Sequence, residues 1–270
     1  MLDNATTDLP KLQRTRGAAR VRLDAAGLRD LHQSGSAKAM LPKMHGAPPE
    51  VVFLNTAGGL TGGDRMHFAL NLGPGARATG TTQTAERAYA ARDEVAEVTV
   101  DLDLGRGARL DWLPQETILF QSARLSRRTT AQLAAEATLL MAETVVLGRT
   151  AMGETLTTLD FTDRRRVLRL GRPVLIEPLR ITGADLAARG AAGLDGALAL
   201  TTVALVSEGA EDALGPVRDI IGEAPGLAAS AWDGRLIVRA MGRDALAQKR
   251  RIAAIIERLR GAALPRVWQV

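Results

Sequence analysis

The sequence predicts a mainly β protein: an elongated, solenoid-like stack of β-sheet followed by a C-terminal α+β layer with about two helices. Three observations predict it. Apolar and polar residues alternate through the first two-thirds. A strand–turn–strand unit recurs at an offset of 32 residues. Helical periodicity enters only in the last third,.

The alternation is plainest where Phe68, Leu70 and Leu72 alternate with His67, Ala69 and Asn71, and where Val98, Val100, Leu102 and Leu104 alternate with Glu97, Thr99, Asp101 and Asp103. Successive strand side chains point to opposite faces, so each run presents one apolar face. Residues 68–79 (FALNLGPGARAT) and 100–111 (VDLDLGRGARLD) share apolar-x-Leu-(Asn/Asp)-Leu-Gly-x-Gly-Ala-Arg, and residues 133–139 give a weaker copy with Ala137 in the place of Ala108. The glycines permit the positive φ of a tight turn. Copies about 30 residues apart predict stacked two-strand units; a plain meander is the alternative. Residues 145–147 and 166–176 read as further strands, the second broken by Gly171 and Pro173. Past about residue 194, residues 197–206 suit a buried strand, and 211–221 suit a helix that Pro216 can delay,. Residues 227–232 and 235–240 flank Asp233-Gly234, a hairpin signal,. Residues 244–260 form an amphipathic helix with Ile252, Ile255, Ile256 and Leu259 on one side and Lys249, Arg250, Arg258 and Arg260 toward the other, with Gly261 placed as its cap,. The expected organisation is one unit over residues 1–270, with a β-rich body at 17–182 and a strand-helix-hairpin-helix part at 195–270.

Composition narrows the function. The 270 residues contain no cysteine, which excludes disulfides, a thiolate metal site and a cysteine nucleophile, and fits a reducing compartment,. His32, His45 and His67 lack the spacing of a zinc-ligand pair,. Aromatics make up 3%, too few for a base-stacking platform,. The net charge of +5 is local: residues 230–270 hold nine bases and three acids. Such a run is ordinarily a solvated helix face, although it can also meet an acidic partner. The N-terminal stretch has no apolar core of signal type, and the clearest uncharged apolar run, residues 196–207, is too short to span a membrane,.

The sharpest local feature is NTAGGLTGGD at residues 55–64. It lacks the Gly-Lys-Ser/Thr ending and the Gly-x-Gly-x-x-Gly spacing of nucleotide loops. Its four glycines predict a turn with positive φ or close backbone approach, where a Cβ does not fit,. Polar residues follow each repeat: TTQTAERAY at 81–89, LPQETILFQ at 113–121 and AETVVLGRTAMGE at 142–154. At an offset of 32, Gln83 stands against Gln115. Stacking would gather Glu86, Glu116 and one of Glu143 or Glu154 in a row near Asp64. Such a row is costly in an interior unless it is ion-paired, with Arg87 and Arg149 as candidates, or bound to metal. Paired carboxylates also permit glycosidic chemistry, so a carboxylate-using β-solenoid enzyme acting on polysaccharide is the alternative. The missing aromatic sugar platform and signal peptide weigh against it.

NTAGGLTGGD, TTQTAERAY, LPQETILF and LGRTAMGE, in this order and spacing, resemble the urease accessory protein UreD (UreH) family over roughly residues 17–260. The resemblance implies a β-rich stacked fold and a cytoplasmic, non-enzymatic chaperone for nickel insertion. Its implied partners are UreF, the GTPase UreG recruited through UreF, and apo-urease, with neither nucleic acid nor membrane among them. No cofactor is expected to bind tightly. Nickel is expected in transit, and Asp64, Glu86, Glu116 and Glu154 are the candidate oxygen sites along its path.

Overall fold

Seventeen strands and three helices carry the chain in a computed structural model that describes residues 14–43, 47–149, 152–188, 190 and 192–268. Thr150 and Ala151 of the last motif, together with His45, lie outside these residues. In chain order the first strands are β1 (Arg16–Asp24), β2 (Gly27–Gly35), β3 (Ala37–Met40), β4 (Glu50–Asn55), β5 (Arg65–Leu72), β6 (Arg77–Thr82), β7 (Glu86–Ala88) and β8 (Ala96–Leu104). Then come β9 (Arg109–Leu113), β10 (Thr117–Leu119), β11 (Arg124–Leu133), β12 (Thr138–Leu147), β13 (Asp160–Arg169) and β14 (Arg172–Thr182). α1 (Gly183–Ala187) follows, and the C-terminal part adds β15 (Ala199–Val206), α2 (Leu214–Ile221), β16 (Leu227–Trp232), β17 (Arg235–Gly242) and α3 (Ala245–Arg260).

Two sheets result. The first runs β14-β13-β11-β8-β5-β1-β2 and the second β16-β17-β15-β12-β9-β6-β4-β3. Their central strands are parallel, because the chain passes from one sheet to the other and returns one step further along. β5 pairs β8, β8 pairs β11 and β11 pairs β13 in the first sheet, as β4, β6, β9 and β12 do in the second. This is the stacked solenoid rather than the meander. The repeat found in the sequence is the pairing register itself: Phe68 lies against Val100 and Arg77 against Arg109, both 32 apart. The weaker copy aligns too, with Thr138 against Arg109. The turns stack by backbone hydrogen bonds, Gly105 N–H donating to Leu72 O (2.8 Å) and Thr138 N–H to Ala108 O (2.8 Å).

One apolar core lies between the sheets, where Leu70, Leu102 and Val167 meet Phe53, Leu110 and Leu139. A second lies between the outer face of the second sheet and the helices, joining Leu140, Val203 and Val238 to Val217, Ile252 and Ile255. The expected C-terminal signals act as read. Asp233 and Gly234 both take positive φ (46° and 71°) in the hairpin, Asp244 accepts from Leu246 N–H and Ala247 N–H at the start of α3, and Gly261 (φ 66°) ends it,.

The two helices expected in the C-terminal part are α2 and α3; α1, just ahead of that part, is a single five-residue turn whose capping pair is Thr182 with Asp185. Two details depart from the expectation. The expected strand at 166–176 is a hairpin instead: Leu170 (φ 51°) and Gly171 (φ 77°) turn β13 into β14. The carboxylate row does not form as a straight ladder. The register slips to 31 between β7 and β10, placing Glu86 against Thr117 rather than against Ile118, whose side of the strand Glu116 shares,.

Candidate functional site

The glycine-rich loop packs its end of the solenoid against β7. Leu60 bridges Ala88, and Asn55 Nδ2–H holds the loop by donating to Gly59 O (3.1 Å). Gly59 has φ 151°, and a Cβ there would overlap the Tyr89 ring; a Cβ on Gly62 would overlap the Glu94 carbonyl. Close approach is thus the reason for glycine, as the sequence implied.

Glu86 stands where this loop meets an interior cavity of about 110 Å³. Phe53 and Trp112 supply its apolar wall, while Glu86, Thr117, Arg127 and Glu143 supply the polar one. Glu86 Oε2 accepts from Asn55 Nδ2–H (3.3 Å) and Oε1 from Arg87 N–H (3.0 Å). Burial pushes its carboxyl above the ordinary range; those hydrogen bonds and the Arg87 charge oppose the shift, and the Asp64 charge adds to it,.

The other three candidates are held separately. Asp64 is buried and accepts from Thr15 N–H (2.7 Å) and Thr61 N–H (2.8 Å), tying the first strand to the glycine loop. Glu116 turns away from the cavity to pair with Lys249 of α3 at 3.0 Å. Glu154 pairs with Arg149 at 3.1 Å and accepts from Gln121 N–H (3.2 Å). The Arg149 hydrogen bond, helped by backbone donors, holds its carboxyl below the ordinary range. Among the described residues no three His, Asp or Glu side chains gather as a metal-binding group.

From the cavity wall a charged network runs inward, of which only Glu143 is a candidate from the sequence. Arg127 donates to Asp163 Oδ1 through Nε (3.1 Å) and to Oδ2 through Nη2 (2.6 Å), and to Thr117 Oγ1 (3.1 Å). Arg165 donates to Asp163 Oδ2 through both Nε (3.0 Å) and Nη2 (2.7 Å). Glu143 Oε2 reaches Arg127 (3.0 Å) and Arg165 (3.2 Å). Glu177 receives Thr202 Oγ1–H (2.9 Å) and lies 3.4 Å from the exposed Arg239. Burial alone would raise the Asp163 carboxyl, but the two guanidiniums outweigh it and hold it low. The missed signal was charge at inward positions of alternating strands: Leu125-Arg127-Thr129-Ala131 and Phe161-Asp163-Arg165-Val167.

A second concavity, of about 440 Å³, lies between β10, β12 and α3. Ile118, Val146, Met152, Leu246 and Ile252 make it mostly apolar, and Glu116 and Lys249 edge it.

A two-sheet solenoid with charged residues lining its interior and a helical layer on one face defines the class: a β-solenoid protein whose chemistry-bearing groups face inward. The chain matches the family described as UreD urease accessory protein over residues 15–269, and it belongs to that family. Among its relatives, the urease accessory protein UreD of Cereibacter sphaeroides (strain ATCC 17025 / ATH 2.4.3) is 56% identical over 265 residues, covering 96% of each chain. That of Jannaschia sp. (strain CCS1) is 47% identical over 270 residues, covering 100% of each. Members of this family serve urease as accessory factors in its maturation and are not themselves enzymes. The polysaccharide-enzyme alternative is thereby set aside. No helix among the described residues is long and apolar enough to cross a membrane.

Proposed function

We propose that this chain is the scaffold for nickel insertion into apo-urease. It binds UreF, recruits the GTPase UreG through UreF, and holds the assembly against apo-urease in the cytoplasm, with no nucleic-acid or membrane partner. Nickel is its cargo and not a resident cofactor. Divalent nickel binds tightly to imidazole and thiolate. This chain has no cysteine, and one of its described histidines, His67, is engaged by Asp101 at 2.8 Å. Carboxylate oxygens remain, and several weak sites in series suit an ion that must both enter and leave.

The observation that carries the reading, beyond family membership, is Glu86. Of the four candidate carboxylates it alone lines the interior cavity, alongside the Arg127–Glu143 pair. Asp64 supports it by closing the loop behind it. Glu116 and Glu154, at the groove and in the Arg149 pair, are proposed as outlying oxygen sites of the same path.

The test is co-expression with UreF, UreG and apo-urease, followed by affinity purification on this chain. The expected result is a complex containing UreF, with UreG retained only when UreF is present, and no GTP hydrolysis by this chain alone. Recovery of the chain without UreF, or GTPase activity in the isolated chain, contradicts the proposal.

A further inference from the structure

On the outer face of the first sheet, β5 and β8 join their polar side chains across the strands, while the half formed by β11, β13 and β14 carries four arginines without such partners among the described residues. Arg65 pairs with Glu97 (3.5 Å) and His67 with Asp101 (2.8 Å), and Asn71 donates a hydrogen bond to Asp103 (3.1 Å). Arg124 meets Asp160 (3.6 Å) at the end of the next strand pair.

The other half, on β11, β13 and β14, carries Arg128, Arg164, Arg166 and Arg180, all exposed. No ion pair among the described residues includes any of them. Arg128 and Arg164 stand directly opposite each other in the parallel register, and Thr130 stands opposite Arg166. Neighbouring strands lie about 4.8 Å apart, and like charges directly opposite cost stability. The acids diagonal to Arg128, Glu97 and Asp101, are already engaged by Arg65 and His67. On β14, Pro178 lies opposite Arg164 and Ile176 opposite Arg166, so both share this face. Ile176 is 59% exposed.

We propose that this face is a docking surface for an acidic protein surface. Arginines whose backbone is held in a sheet offer planar donor forks to carboxylates without ordering a loop first. The apolar Ile176 and Pro178 among arginines reproduce the apolar centre and arginine enrichment of protein interfaces. The outward residues of these strands include no aromatic side chain, so stacking of nucleic-acid bases has no platform,. Strand addition is not the mode, because Pro173 and Pro178 blunt the β14 edge,. The contact is therefore made by side chains on the face.

The test rests on the proposed function in one respect: its probes are the proposed partners, purified UreF and purified apo-urease. The full chain is immobilised and binding to each is measured across salt concentrations. The test variant is Arg128→Gln/Arg164→Gln/Arg166→Gln. The control, Arg20→Gln/Arg22→Gln/Arg77→Gln, removes the same charge at β1, across the same sheet from the patch, and at β6 of the other sheet. The expected result is at least a tenfold weakening for one partner at low salt, with a shallower salt dependence, while the control binds as the parent does. Thermal unfolding of the test variant should match or exceed the parent, since opposed like charges are relieved. Undiminished binding of both partners overturns this proposal alone. So does a loss equalled by the control, or patch-dependent binding seen only with single-stranded RNA or anionic phospholipid vesicles. If the parent chain binds neither UreF nor apo-urease, the proposed function fails together with this inference.

Discussion

Neutralising Asp163 should be the most destabilising isosteric change in this chain. Its side chain is fully buried and receives four guanidinium hydrogen bonds of 2.6–3.1 Å from Arg127 and Arg165. Asp163→Asn keeps the volume but removes the charge, and the new amide N–H₂ confronts donors. Arg127 and Arg165 would then share Glu143, with Glu177 at 3.6 Å from Arg165 as the remaining anion. Breaking a buried pair by removing one partner costs about 3–5 kcal/mol, a large part of a typical margin of about 5–15 kcal/mol. At an m-value of about 3 kcal/mol/M, the urea midpoint should fall by about 1–1.7 M. Asp163→Leu combined with Arg165→Met leaves Arg127 with Glu143 and Arg239 with Glu177, a balanced set. That double variant should lose less than Asp163→Asn alone. A loss under about 1 kcal/mol for Asp163→Asn, or a larger loss for the double variant, refutes the reasoning that charge balance and not volume governs this interior.

Three further outcomes follow from the geometry. Gly62→Ala drives a Cβ into the Glu94 carbonyl and should cost about 1 kcal/mol or more by thermal unfolding, whereas Gly75→Ala, with nothing near its Cβ, should be felt only through its φ of 68°. Asp244→Ala removes the α3 N-cap and should cost about 1 kcal/mol in urea denaturation, with Asp244→Ser restoring most of it. In acid, the stabilisation from Asp163 and Glu154 is fully present above the ordinary carboxylate range and is lost as pH falls through their lowered values,. Glu86 runs the other way: its raised value makes the wild type lose stability relative to Glu86→Gln as pH climbs from the ordinary glutamate range through that raised value,. Stability profiles from pH 3 to 8 check both signs.

The solenoid was legible because its repeat is written in residues that cannot vary freely. Leucines at inward positions and Gly-x-Gly turns recur at 32 residues, and hydrogen-bonded stacking makes that spacing the register. The C-terminal hairpin and α3 were legible from Asp233-Gly234, Asp244 and Gly261, where backbone geometry selects the residue. β11 and β13 were read poorly because Arg127, Asp163 and Arg165 occupy inward positions and erase the apolar alternation. The one-residue slip between β7 and β10 was invisible, since no apolar pattern spans those three-residue strands. That slip is why Glu86 faces the cavity while Glu116 faces α3.

The central claim is that this chain matures urease and that Glu86 serves the nickel path. It is tested most directly in cells carrying urease and its other accessory genes but lacking this family member. Urease activity per unit of urease protein is measured as nickel is varied, with the wild-type chain or Glu86→Gln supplied. The account predicts nickel-dependent activity with the wild type. With Glu86→Gln it predicts an intact complex with UreF and at least tenfold less activation. Full activation by Glu86→Gln would contradict the role of Glu86, and no activation by the folded wild-type chain would contradict the account as a whole.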